Sequence, residues 1–190
     1  MARLDIITGS MFCGKSEELI RRLVRACIAG KSIVLIKPRE DNRPTRNTFD
    51  MVRENKYLAT YPRLTTKVVN SFAELIELIE SISPDVLAMD EAQFFDPWIV
   101  AAVQELLDKY HKDPFRIIIS GLDMYSDQKP FGSMPDLMAK ADEIQKLKAV
   151  CDFCGQDAML TYRKPGVPND PVLVGDKETF GACCRTCTYK

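Results

Sequence analysis

Four short stretches of the chain are apolar almost throughout, at residues 4–8, 31–37, 85–90 and 116–121. Runs of that length without alternation are those of strands covered on both faces. Between them the apolar positions recur at helical spacing. Residues 16–27 place Leu19, Leu23, Val24 and Cys27 on one side, and Gly30 supplies the stop. Ser71 with Glu74 three residues on reads as a capping box opening a helix to about Ile82. Residues 97–112 carry Val100, Val103, Leu106, Leu107 and Tyr110 on one face, and a short helix is predicted near 134–141. Weaker strand patterns fall at 66–70 and 143–150. Residues 39–61 turn polar with no clear period and read as a loop of functional size. Strands alternating with helices predict an α/β fold, a mostly parallel sheet flanked by helices on both faces.

Composition narrows this picture. At 190 residues the chain suits one domain with a small appendage. Lysine and arginine (26) nearly balance aspartate and glutamate (27), and no basic block stands out. That predicts neither a nucleic-acid partner nor a membrane surface. No apolar run approaches the roughly 18 residues of a membrane span, and the polar start lacks the core of a signal peptide. The expected setting is cytoplasmic, where seven cysteines are read for metal rather than disulfides.

The segment after the first strand is Gly9-Ser10-Met11-Phe12-Cys13-Gly14-Lys15-Ser16, a G-x-x-x-x-G-K-[ST] phosphate loop between a strand and a helix. Its glycines let consecutive N–H groups curl around a polyphosphate, and the helix adds its positive dipole end beneath. Lys15 can reach the terminal phosphates, and the Ser16 hydroxyl can ligate the magnesium that accompanies ATP. The third strong strand ends in Asp90-Glu91, at the carboxyl edge where ligands of open α/β sheets gather. Asp90 is placed as the magnesium partner, directly or through water. Glu91 is placed beside the γ-phosphate, to take a proton from an attacking hydroxyl or water. The bland reading makes both of them solvated strand-end acids.

Cys151 and Cys154, then Cys184 and Cys187, form two C-x-x-C pairs separated by residues 155–183, a gap of 29. Four thiolates suit a closed, tetrahedral and therefore structural zinc, one per chain. Cys183 competes with Cys184 as a ligand, at the less usual C-x-x-x-C spacing, and a redox dithiol is the rival chemistry. Cys13 and Cys27 are expected to pack, and His111 to lie on the surface.

Phosphate loop, acid pair and cysteine clip together resemble the type II thymidine kinase family, the cytosolic, zinc-containing kind, over essentially the whole chain. The family-like segments include 37–43, 90–95, 121–123, 129–132, 141–143, 146–147, 149–154, 172–175 and 184–187. The resemblance implies a P-loop NTPase-like domain over residues 1–148 and a zinc-binding lid or lasso domain over 149–190. It implies transfer of the γ-phosphoryl of ATP to the 5′-hydroxyl of thymidine or deoxyuridine, giving dTMP in deoxynucleotide salvage. Glu91 is implied as proton acceptor and Asp90 as magnesium partner. Gln93 would lie by the nucleotide, with Asp41 and Arg43 near the phosphates. Phe94 and the apolar contacts Met11, Leu122, Phe131 and Thr161 would hold the base. Main-chain groups of the lid, including Val172, Val174 and Gly175, would complete its pocket. Feedback inhibition by dTTP and a homotetramer are further implications.

Two departures stand out. Phe180 occupies a position where the family commonly has tyrosine, which keeps stacking but removes a hydroxyl hydrogen bond, of order 1 kcal/mol. Residues 49–61 lack a histidine often present in that loop of the family. The rival from another class is a P-loop ATPase or nucleic-acid-handling module with a zinc ribbon, in which Glu91 would activate water. A third reading is a nucleotide-binding regulator without turnover. The absent basic patch weighs against the former, and the intact Lys15, Ser16, Asp90 and Glu91 against the latter.

Overall fold

The computed structural model describes residues 1–39, 47–167 and 177–188. In chain order the elements begin with β1 (Arg3–Gly9), α1 (Lys15–Ile28), β2 (Ile33–Lys37), α2 (Thr48–Glu54) and β3 (Leu64–Val68). There follow α3 (Phe72–Ile82), β4 (Val86–Met89), a 3-10 turn (Ala92–Phe94), α4 (Trp98–Lys109), β5 (Arg116–Gly121) and α5 (Met134–Ala139). The chain ends with β6 (Glu143–Leu147), β7 (Ala149–Val150), β8 (Asp157–Ala158), β9 (Leu160–Arg163), β10 (Phe180–Cys183) and α6 (Arg185–Thr188).

Six strands form one sheet in the order β3-β2-β4-β5-β1-β6, and every pairing in it is parallel. The four inner strands are buried on both sides, which is why their sequences run apolar without alternation. Alternate residues divide between two cores. Ile7, Ile33, Leu35, Ala88 and Ile118 face Leu19, Ile20 and Leu23 of α1 and Val52 of α2. Ile6, Val34, Ile36, Leu87, Met89, Ile117 and Ile119 face Leu75 and Ile79 of α3, the inner side of α4, and Leu137 of α5. The expected α/β sheet flanked by helices on both faces is present. At the amino edge of the sheet, fully buried Asp5 accepts from Arg3 Nε and Arg116 Nε, both at 2.6 Å, and lies 3.6 Å from Arg22 of α1.

Several boundaries differ from those predicted. The supposed loop 39–61 contains α2, whose N-cap is a full capping box. Asn47 accepts from the N–H groups of Phe49 and Asp50, and Asp50 accepts from the Asn47 N–H. Val52 and Leu58 then bury themselves against α1, an anchoring that the polar context conceals. β3 starts two residues ahead of the predicted 66–70, its register set by pairing with β2. The inner side of α4 is Ile99, Ala102, Val103 and Leu106, whereas Val100, Leu107 and Tyr110 are half-buried flanks of the stripe. The predicted strand 143–150 is two strands: β6 lies at the sheet edge, and after Lys148 the chain leaves to pair β7 with β8.

From residue 149 the chain builds two small antiparallel sheets, β7-β8 and β9-β10. They share a core of Ala149, Cys151, Ala158, Leu160, Ala182 and Cys183, against which Cys13 of the phosphate loop and Met124 pack.

Candidate active site

The phosphate loop joins β1 to α1 at the carboxyl edge of the sheet. Gly9 has φ +137°, where a Cβ would run into the Leu147 carbonyl oxygen of β6 and meet Cys13 Sγ at 2.9 Å. Only glycine lets the chain leave β1 there. Gly14 is left-handed at φ +83° and opens α1. Lys15 is buried, and its Nζ donates to the Ser10 carbonyl at 2.8 Å, so the ammonium is drawn back across the loop. Thr161 of β9 accepts from the Met11 N–H at 2.9 Å, and Ser10 Oγ donates to the Ala158 carbonyl of β8 at 3.4 Å, tying the loop to both small sheets. Burial pushes the Cys13 thiol up, against the pull of the neighbouring Lys15 ammonium. Cys13 is therefore a neutral packing residue at physiological pH.

Two strands away, β4 delivers Asp90 and Glu91. Asp90 Oδ2 accepts from Ser16 Oγ at 3.1 Å and from Thr48 Oγ1 of α2. Glu91 sits in the left-handed region at φ 52°, ψ 41°. That conformation costs a non-glycine residue about 1–2 kcal/mol, and such strain gathers at functional positions. Gln93 braces the carboxylate: its Nε2 donates to Glu91 Oε2 at 2.6 Å while its Oε1 accepts from the Leu122 N–H at 2.9 Å.

Both halves open onto one cavity of about 410 Å³. Lys15, Ser16, Gly14, Met11 and Phe12 form one wall, and Glu91 and Phe94 another. Leu122 and Phe131 line it from the β5–α5 connection, Thr161 and Phe180 from β9 and β10. Phe94 packs edge-on against Phe131, with centroids 5.5 Å apart. The structure thus gathers Met11, Phe12, Gly14, Lys15, Ser16, Glu91, Phe94, Leu122, Phe131, Thr161 and Phe180 around one space. Gly9, Ser10, Cys13, Asp90 and Gln93 stand behind it as support, Gln93 bracing Glu91. Asp41, Arg43, Val172, Val174 and Gly175 lie outside the described residues.

Sequence reasoning missed further lining residues: Asn47 at the cap of α2, Thr48 and Met51 within it, and Tyr125, whose ring stacks on Phe131 with centroids 3.7 Å apart. Arg163, at the end of β9, and Lys177, just ahead of β10, add positive charge to the rim. The signal for α2 was the Asn47-x-x-Asp50 spacing, an Asn/Asp version of the capping box. Nothing in the local pattern marks Tyr125.

The cysteine clip closes as the spacing foretold. The sulfurs of Cys151, Cys154, Cys184 and Cys187 lie within 4.8 Å of one another. Those of Cys154 and Cys184 are 3.7 Å apart, close to the roughly 3.8 Å edge of a tetrahedron with ~2.3 Å zinc–sulfur bonds. The donor set and its size fit zinc. Cys183 instead is buried in β10, its sulfur 3.1 Å from Thr188 Oγ1, so Cys184 is the cluster member. Burial raises the Cys151 thiol, but the main-chain N–H groups of Cys184, Phe153 and Cys154 bring it down to about 6. Cys187, crowded by Cys154 and Cys184, is pushed up to about 12. Four thiolates cannot coexist there without a cation to hold them.

A family model described as thymidine kinase matches residues 2–188. A curated thymidine kinase of Porphyromonas gingivalis is 39% identical over 189 residues, covering 98% of this chain and 85% of its own length. A phosphate loop facing a strand-end glutamate across one cavity is the equipment of a phosphotransferase. With that likeness extending over nearly every residue, the chain belongs to the thymidine kinase family.

Proposed function

We propose that this kinase transfers the γ-phosphoryl of ATP to the 5′-hydroxyl of thymidine or deoxyuridine, producing dTMP in pyrimidine deoxynucleotide salvage. The observation that carries the reading is that Lys15 and Ser16 line the same cavity as Glu91. The anion-binding end and the proton acceptor therefore share one space. The resemblance and the relative's name supply the nucleoside.

In this reading Gly9 to Ser16 cradle the triphosphate, and Lys15 releases the Ser10 carbonyl to meet the terminal phosphates. Ser16 and Asp90 are the residues that would hold magnesium, which when bound offsets the charge of the β- and γ-phosphates. Glu91, kept in place by Gln93, takes the proton of the 5′-hydroxyl as that oxygen turns toward phosphorus. Phe94, Phe131, Leu122, Met11, Thr161 and Phe180 wall the base. Residues 149–190 act as a lid domain anchored by zinc on the four cysteines. Closure excludes water, so phosphate goes to the sugar instead of being hydrolysed. Asp41 and Arg43 serve the phosphates, and Val172, Val174 and Gly175 the base, by the resemblance alone. So do dTTP inhibition and a homotetramer. The free cysteines fit a reducing cytoplasm.

Radiolabelled γ-phosphate separates the outcomes: it appears on thymidine, on water, or nowhere. In this proposal it appears on thymidine, and Glu91→Gln lowers that rate by about 10²–10⁴ while ATP binding persists. Unaltered turnover in the variant would remove Glu91 from its role, and label only on water would refute the kinase reading.

A further inference from the structure

Asp90 is almost fully buried, and both hydroxyls that reach it donate to the same carboxylate oxygen, Oδ2. One is Ser16 Oγ of the phosphate loop. The other is Thr48 Oγ1, at the first residue of α2 and itself only 4% exposed. Among the described residues, Oδ1 of Asp90 accepts no hydrogen bond. Two donors on one oxygen fix the plane of the carboxylate and leave the other oxygen available to a cation or to water bound on it. Ser16, its proton committed to Asp90, presents its lone pairs away from the acid. Thr48 is held where it is by the capping box on Asn47 and Asp50 and by Val52, buried against α1. The second donor is thus as well anchored as the first.

From this geometry we infer that Thr48 is a positioning residue of the divalent-cation site, holding Asp90 turned toward the metal carried by a nucleoside triphosphate. The inference rests on the reading that Ser16 and Asp90 hold magnesium. It gives α2, which lines the cavity through Thr48 and Met51, a part in the apparatus that makes nucleotide binding metal-dependent. Ligand-orienting partners of this kind change metal affinity by about 10- to 100-fold when removed.

The test is calorimetric titration of the whole chain with ATP, once in EDTA and once in excess magnesium. Thr48→Val keeps the volume and removes the donor, Thr48→Ser keeps the donor, and Thr48→Ala guards against a β-branched misfit. Wild type and Thr48→Ser are expected to bind ATP more tightly with magnesium. Thr48→Val and Thr48→Ala should lose about tenfold or more of the magnesium-dependent gain, read for each variant as the ratio of its own affinities in magnesium and in EDTA. If both donor-less variants keep that gain in full, Thr48 has no such role, whatever the status of the kinase reading. If wild type itself shows no gain, the magnesium reading of Ser16 and Asp90 falls, and this inference with it.

Discussion

Glu91 pays for its left-handed backbone with a position no extended residue would have. At the end of β4 the turn lifts its carboxylate over the strand edge into the cavity, where Gln93 steadies it. Gly9 is the counterpart across the space, since any side chain there would strike β6. Gly9→Ala is expected to cost roughly 1–3 kcal/mol of loop strain and so weaken ATP binding about 10- to 100-fold. Calorimetry checks this, and undiminished affinity would show that the loop can leave β1 by another route. Phe180 lies against the Arg163 guanidinium, 5.8 Å from ring centroid to cation, and its ring faces the cavity. At this scale the Gly-Lys-Ser chemistry and the acid pair were legible from letters alone, because their spacing along the chain is the site. Tyr125 was not, because its stacking on Phe131 depends on how the turn between them folds.

Helix α1 carries the phosphate loop's last residues and is braced along one side by charge. Hydrogen bonds from Arg21 hold the Glu18 carboxyl down, burial opposes them, and Arg22 adds to the pull, bringing it to about 2 from an ordinary 4.5. Between those two values the unfolded chain binds more protons than the folded one, so folding stability rises with pH across that window. The contribution is complete above the unfolded value and disappears as pH falls through about 2. Glu18→Gln should flatten the stability–pH curve there, measured by urea unfolding at stepped pH, and a curve as steep as wild type would exclude this source. Helix α2 depends on its cap in the same local way. Asn47→Ala is expected to cost about 1 kcal/mol and to speed amide exchange over residues 48–54; unchanged exchange there would mean that packing of Val52 and Leu58 suffices. The polar letters around α2 hid it because the helix is held by a cap and two buried side chains rather than by an apolar stripe.

For the whole molecule, two devices at opposite edges of the sheet keep the parts together. At the amino edge Asp5 is buried among Arg3, Arg22 and Arg116. Removing the carboxylate takes the shared acceptor from Arg3 and Arg116 and the nearest acid from Nη1 of Arg22, which keeps Glu18 at 2.9 Å and Gln145 at 2.6 Å. Asp5→Ala should therefore destabilise by about 3–5 kcal/mol, a melting-point drop on the order of 10 °C for a chain of this size. A thermal melt within a degree or two of wild type would show that the arginines find other partners. At the carboxyl edge the cysteine cluster closes the small sheets over the phosphate loop. Chelation should open residues 149–188 to protease and depress phosphorylation more than ATP binding. Equal resistance with and without chelator would deny the metal a structural role.

The sequence by itself determined the inner strands, the phosphate loop, the acids that follow β4 and the two cysteine pairs up to the choice between Cys183 and Cys184, since each is written in neighbouring residues or in a short spacing. The edge strands β3 and β6, half exposed and weakly patterned, took their limits from the neighbours they pair with. Only the tertiary structure decided that Thr48 meets Asp90, that Gln93 braces Glu91, and that Cys184 rather than Cys183 turns inward to the cluster. Those contacts join residues whose separation in the chain carries no periodic signal, and they exist because a parallel sheet brings the carboxyl ends of distant strands to one edge.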